Sequence, residues 1–255
     1  MKCIWFMLLV VISEVNSNKP LTSGGSFELS SFSANAKTKA KIGYMMCLPK
    51  APDYVHATAR PSDPSLPHKF NVAIIEINRG HFMIELERVD QATGWDTMIT
   101  VDWSLYMGKG MVYQNIILWF PAGASVVKEL NLTQAIKFCA ESGGRLVDIV
   151  DKAMYDIVYN YCRQTIVFPI RPATHADIWL GSSYNTVADT VTQSNGNPGY
   201  NGDWHPGTPY RGDPTDTGLR LSIRPPSSTT SDHGLVNLTP AFDLPVTQLC
   251  SANLM

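Results

Sequence analysis

The side chains that could do chemistry in this chain cluster late in the sequence. Asp203, Asp213, Asp216 and Asp232, with His205 and His233, supply oxygen and nitrogen donors. Their spacing follows no metal-ligand pattern, so solvated loop charges are the expected role. Arg211-Gly212-Asp213 sits between Pro209 and Pro214, where a loop tip could present the integrin-binding tripeptide. Cys162 with His175 has the residue types of a nucleophile and its base, but in a chain rich in pairing cysteines a disulfide is the expected use of that thiol. No Gly-x-Ser-x-Gly, no His-Glu-x-x-His and no Gly-rich phosphate loop occurs, so the chain reads as a protein that is not an enzyme.

The cysteines and two asparagines depend on the compartment. Residues 1–17 open with Lys2, run apolar from Ile4 to Ile12 and end in Val15-Asn16-Ser17, the pattern of a secretory signal peptide. The expectation is a secreted, extracellular protein. No stretch approaches the roughly 20 apolar residues that a spanning helix needs, so membrane insertion is not expected. Removing residues 1–17 takes Cys3 away and leaves Cys47, Cys139, Cys162 and Cys250. In an oxidising compartment these should form two disulfides, in any of three connectivities. Asn131-Leu-Thr133 and Asn237-Leu-Thr239 fit the N-glycosylation acceptor pattern. Either asparagine could instead serve the backbone as a cap or turn residue.

The elements that must position these groups divide the chain in two. Over residues 18–110 the apolar period is two. Phe70–Ile77 and Phe82–Val89 flank a turn at Arg79-Gly80-His81, a further strand runs Met98–Trp103, another Ala40–Cys47, and residues 49–67 are Pro- and Asp-rich and read as loop. Several strands without a helix pack as an all-β antiparallel sandwich. Over residues 111–255 the period changes. Leu132, Ala135, Ile136, Cys139 and Ala140 fall at helical spacing, with Thr133 as a candidate cap and Gly143-Gly144 as the stop. A second helix follows Asp148 and Asp151, repeats Met154, Ile157, Val158 and Tyr161, and carries Cys162 near its end. Short strands at Asp177–Gly181 and Gly218–Ile223 in a loop-rich tail complete an α+β domain. With 44% hydrophobic residues, a formal net charge of -2 and no basic run, the chain is globular and is not expected to bind nucleic acid.

The motifs of the second half resemble the C-type lectin-like domain. Leu132-Thr-Gln-Ala-Ile-Lys-Phe-Cys139, Gly143-Gly-Arg-Leu146, Ile178-Trp-Leu-Gly181, Gly202-Asp-Trp-His-Pro-Gly-Thr-Pro209 and Cys250 stand in the family's order and spacing. The resemblance implies that Cys139 pairs with Cys250, closing a loop of about 110 residues, and that Trp179 and Trp204 are core residues. Cys47 and Cys162 then remain as the second pair. Members of the family commonly hold sugar through a calcium bound by Glu-Pro-Asn or Gln-Pro-Asp in the long loop and by Trp-Asn-Asp in the following strand. Here the loop has Thr208-Pro209-Tyr210 and the strand Val236-Asn237-Leu238. Calcium takes about six to eight oxygen ligands, several of them carboxylates, so calcium is not expected at the usual site. The inner disulfide of the family is also missing, with Leu219 and Ala241 near its positions.

The first half resembles the H-type lectin domain, through Gly80-His81-Phe82, Gly94-Trp95 and a strand ending in Trp103. That resemblance implies an antiparallel sandwich that can assemble as a homo-oligomer, with Trp95 and Trp103 as core and rim aromatics. Together the resemblances imply a lectin-like protein with glycans or glycoproteins as partners. Thr208, Tyr210, Arg211, Asp213 and Asn237 are the candidate ligand-binding residues. The alternative is an adhesion or matrix protein that binds protein ligands through Arg211-Gly212-Asp213.

Overall fold

In the computed structural model, residues 21–29, 33–90, 94–121, 124, 128–168 and 175–254 are described. The expected signal peptide, residues 1–17, lies outside them. Contacts divide the chain into two compact units that meet in sequence between Lys109 and Gly110.

The N-terminal unit is all β. Its strands are β1 (Leu21–Leu29), β2 (Lys37–Gly43), β3 (Tyr54–Pro61), β4 (Phe70–Ile77), β5 (His81–Arg88) and β6 (Ile99–Met107). They form two three-stranded antiparallel sheets, ordered β1-β6-β3 and β2-β5-β4. Strand β5 shows why period two works: Phe82, Ile84 and Leu86 are buried and alternate with residues that are less so. These three join Ile42, Tyr44, Val101, Trp103 and Leu105 in one apolar cluster, and Tyr44 packs against both Phe82 and Trp103 at ring-centroid distances of 5.6 Å. Trp95 and Trp103 belong to this core.

Strand β3 corrects the expectation of a loop over residues 49–67. Prolines punctuate that segment, and they dominate a reading based on turn residues. Between them Val55 and Ala57 are buried and alternate with less buried positions, facing the core. Pro61 is tolerated because β3 pairs only with β6, and it lies at the strand's end.

The C-terminal unit contains β7 (Met111–Tyr113), β8 (Ile116–Trp119), β9 (Lys128–Leu130), α1 (Leu132–Glu141), β10 (Arg145–Leu146), α2 (Lys152–Thr165), β11 (Ala176–Asn185), β12 (Thr190–Thr192), β13 (Gly218–Ile223), β14 (Gly234–Leu238), β15 (Leu244–Thr247) and β16 (Cys250–Asn253). One sheet runs β14-β13-β11-β15-β9, with β12 paired to β11; the other runs β10-β16-β8-β7. Helix α1 is capped by Asn131, not Thr133. The Asn131 side chain accepts from the Gln134 amide while the Gln134 side chain accepts from the Asn131 amide, a capping box. Asn131 is extended and able to cap, whereas Thr133 lies exposed inside the helix. Gly143 ends the helix at φ 78. Gly144 is small for a different reason: a Cβ there would stand 2.5 Å from Trp119 Cη2 and 2.8 Å from the Ser251 carbonyl oxygen. Helix α2 starts at Asp151, whose carboxylate accepts from the Met154 amide.

Cys139 and Cys250 form a disulfide with a Cα–Cα distance of 5.4 Å. It ties α1 to β16. The Cys47–Cys162 pair expected from the sequence does not form, because Cys162 is a free thiol. Met154, Tyr155, Val158, Tyr159 and Cys162 make the buried face of α2, so the helix's own periodicity turns Cys162 into the core among Leu221, Ile223 and their neighbours. Burial pushes its thiol pKa far up. Cys162 should therefore resist alkylation in the native protein and label fully once it is unfolded. Iodoacetamide labelling followed by non-reducing peptide mapping checks this. Rapid native labelling, or a Cys47–Cys162 linked peptide, would contradict it.

Among the described residues no helix is long and apolar enough to cross a membrane.

Candidate functional site

The long connection between β12 and β13 is anchored on β14, and the anchor uses the residues that the sequence singled out. The Leu235 amide donates to the Asp203 carbonyl at 2.9 Å, and the His205 amide donates to the Leu235 carbonyl at 2.9 Å. Thr208 Oγ1 lies 2.7 Å from the His205 carbonyl and 2.9 Å from that of Leu235. Asn237 then fastens the next stretch. Its side-chain oxygen accepts from the Tyr210 amide at 2.6 Å, and its Nδ2 donates to the carbonyls of Tyr210 at 2.7 Å and Asp216 at 3.1 Å. The side chain that could have offered oxygen to a ligand is a structural tie between strand and loop. Above this base, residues 210–215 are exposed without interruption.

This geometry corrects both expected roles of Asn237. The residue is 0% exposed and both amide hydrogens are committed, so a glycan on Nδ2 would cost those bonds and would have no outlet. A ligand cannot reach it either. Thr208 is likewise engaged with backbone carbonyls, while Tyr210 remains available on the surface.

Asn131 differs. Its capping duty falls on the side-chain oxygen, and Nδ2 makes a 3.3 Å bond to Asp243 at the surface. A glycan is compatible with the cap. Two substitutions separate the roles. Thr133→Ala destroys the sequon and leaves the cap, so it should change glycan mass with stability held, whereas Asn131→Ala should also lose about 1 kcal/mol. Mass spectrometry paired with urea titration of each variant checks this; a stability loss in Thr133→Ala would show that Thr133 carries the cap.

The Arg-Gly-Asp tripeptide is on the surface with both charged groups already occupied. Arg211 Nη2 donates to Asp189 at 3.0 Å, and this bond raises the guanidinium pKa further. Bonds from Tyr184 and then Arg211 hold Asp189 below the usual carboxylate range. Asp213 accepts from the amide and hydroxyl of Thr215 at 2.8 and 2.7 Å, which lowers its pKa. Asp189 had no place in the sequence reading. The available signal was the turn composition of residues 185–190, which brings the carboxylate back beside Tyr184.

The other loop carboxylates do not converge. Asp203 accepts from Tyr200 and from Lys152; burial pushes its pKa up, and these two partners outweigh that and hold it low. Asp216 accepts from Thr239 at 2.6 Å and Asp232 from Arg224. Among the described residues no three His, Cys, Asp or Glu side chains gather as metal ligands would. His175 faces Asp177 at 3.4 Å, and Cys162 is enclosed in the core. Trp179 is fully buried and donates from Nε1 to the Leu130 carbonyl at 3.0 Å, and Trp204 packs partly buried against the core and donates to Asn201 at 3.0 Å.

No family model matches the chain, and no curated protein matches it. Solved structures do. The mouse scavenger receptor C-type lectin carbohydrate-recognition domain aligns with a TM-score of 0.40 at 12% identity, covering 57% of this chain and 96% of that one. The C-type lectin CEL-I from Cucumaria echinata gives 0.41 at 14% identity, covering 57% and 96%. The herring type II antifreeze protein gives 0.41 at 12% identity, covering 57% and 97%. Two of these three structures are named as C-type lectins.

Proposed function

We propose that this chain is a secreted lectin-like binding protein that recognises glycans or glycoproteins extracellularly, without the usual calcium-dependent sugar site and without enzymatic activity. The observation that carries the reading is the long loop: an exposed tip over residues 210–215 on a base tied to β14 by Thr208 and Asn237. Binding surfaces are commonly loops that a rigid scaffold positions. Calcium independence follows from coordination chemistry. The one amide that matches a family ligand position spends its oxygen on the Tyr210 amide, and among the described residues no three His, Cys, Asp or Glu side chains gather to offset the cost of stripping water from the ion. The signal-like residues 1–17 and the Cys139–Cys250 bond support an oxidising, extracellular setting. For the N-terminal unit, two three-stranded sheets that share a core support the H-type-like sandwich, and a homo-oligomer is proposed with it.

A glycan array probed with the full chain, in calcium and in chelator, tests the reading. Equal binding in both buffers is the expected result. Binding that needs calcium would refute the calcium-independent site, and an empty array would refute glycan recognition.

The second reading, adhesion through Arg211-Gly212-Asp213, is favoured by the exposure of all three residues. It requires a partner able to outcompete Asp189 for Arg211. Integrin-dependent cell attachment that Asp213→Glu abolishes would establish it.

A further inference from the structure

We propose that a polar cleft of the C-terminal unit, whose lining does not include the exposed tip over residues 210–215, binds a neutral saccharide. The proposal rests on the lectin reading for its ligand class and adds a site to it. The cleft holds about 310 Å³, at the lower end of the roughly 300–1,000 Å³ of small-ligand sites.

Strand register builds the cleft. Arg145 on β10 stands opposite Ser251 on β16, and Asn253, two residues on, stands opposite Ile116 on β8. Directly opposed residues, and residues two apart, share a face of a sheet, so all four line one wall. Asn115 and Asn195 come in from the connections before β8 and after β12. Arg145 makes one long bond, 3.4 Å, to the Asn253 oxygen. Asn195 uses its oxygen on the Asn197 amide, and among the described residues its NH2 group and the Asn115 side chain have no bond. These exposed groups, directed to the same cleft, are donors and acceptors without fixed protein partners.

Charge selects the ligand class. Asp148, only 5% exposed, forms part of the lining. Its two oxygens accept from Ser182 and from the amide and hydroxyl of Ser194, which takes up three of a carboxylate's roughly four acceptor sites and holds its negative charge beneath the cleft. That charge opposes an anion, and the guanidinium of Arg145 opposes a cation. A neutral ligand with several hydroxyls fits the mixture of amides and guanidinium, because each hydroxyl both donates and accepts. Ile116 and Val150, both half-buried, offer aliphatic surface to the C–H face of a sugar ring.

The test uses the full chain in chelator, titrated with methyl glycosides of galactose, N-acetylgalactosamine, N-acetylglucosamine and mannose while backbone amide shifts are followed by NMR. At least one glycoside should move the amides of Asn115, Arg145, Asn195 and Asn253. Asn195→Ala and Arg145→Met, both at exposed positions, should each weaken that glycoside about tenfold, the equivalent of one good hydrogen bond, with the melting temperature unchanged. Lys137→Ala, on the exposed face of α1, should leave binding as it is. Shifts confined to residues 205–216 would overturn the cleft while leaving the lectin reading standing. No shift with any glycoside, together with an empty array, would overturn both. Displacement of the glycoside by inorganic phosphate would reassign the cleft to anions and overturn the proposal.

Discussion

Replacing Cys139 and Cys250 together by alanine is expected to lower the stability of the C-terminal unit by about 5 kcal/mol. The bond spans a sequence separation of 111 residues, and the denatured chain gains the entropy of opening a loop that long. Both sulfurs are fully buried, so two alanines leave small apolar gaps and no unsatisfied polar group. The loss should therefore appear mainly as the entropic term. Equilibrium denaturation of the wild type and the double variant, followed by tryptophan fluorescence, measures it. A loss below about 1 kcal/mol would mean that the denatured chain already holds α1 near β16, so that the cross-link removes little freedom. The single variants should be worse than the double one if either leftover thiol pairs with another cysteine.

Asn237→Ala should cost about 3 kcal/mol, far more than an exposed asparagine would. The substitution removes three hydrogen bonds of a side chain that is 0% exposed. It also strands the Tyr210 amide and leaves the carbonyls of Tyr210 and Asp216 to find new partners. Each net bond is worth about 1 kcal/mol, so three bonds set the scale, and the sum is a lower bound wherever a buried group stays unsatisfied. Asn237→Asp should be at least as damaging. A carboxylate can still accept from Tyr210, but it cannot donate to two carbonyls and would face their oxygens with a buried charge. Urea titration gives the stability, and limited proteolysis of residues 205–216 reports whether the loop comes loose. Wild-type stability in Asn237→Ala would show that water replaces the side chain at no cost, and that the loop does not depend on β14.

The contrast between the two sequons shows where a sequence pattern stops. Asn131 and Asn237 are the same tripeptide, Asn-Leu-Thr. One caps a helix at the surface and keeps its NH2 group outward, while the other is enclosed between β13, β14 and the loop. The difference depends on residues 20 or more positions away in the chain, which a local motif does not contain.

Local interactions made much of the fold legible. The α2 cap at Asp151, the stop at Gly143, the β4–β5 hairpin and β13 depend on neighbours a few residues apart, and capping, φ preference and side-chain period act over that range. Strand β3 was hidden because its flanking prolines are strong local signals for loop, while its reason for being a strand is a distant partner, β6, with Tyr54 opposite Tyr106 and Pro61 opposite Ile99. Cys162 illustrates the same divide. Its place on the buried face of α2 is a matter of spacing, but whether that face meets a second cysteine or an apolar core was decided by the packing of α2 on β13. Asp189 beside Arg211, and the cleft between β8, β10 and β16, likewise exist only after distant strands pair. Local sequence patterns determined both helices, the β4–β5 hairpin and the neighbourhoods of β2, β6, β11 and β13, and the family resemblance implied the Cys139–Cys250 bond. Tertiary structure decided which polar groups are left facing solvent, because that depends on what each side chain finds opposite it once the core has closed.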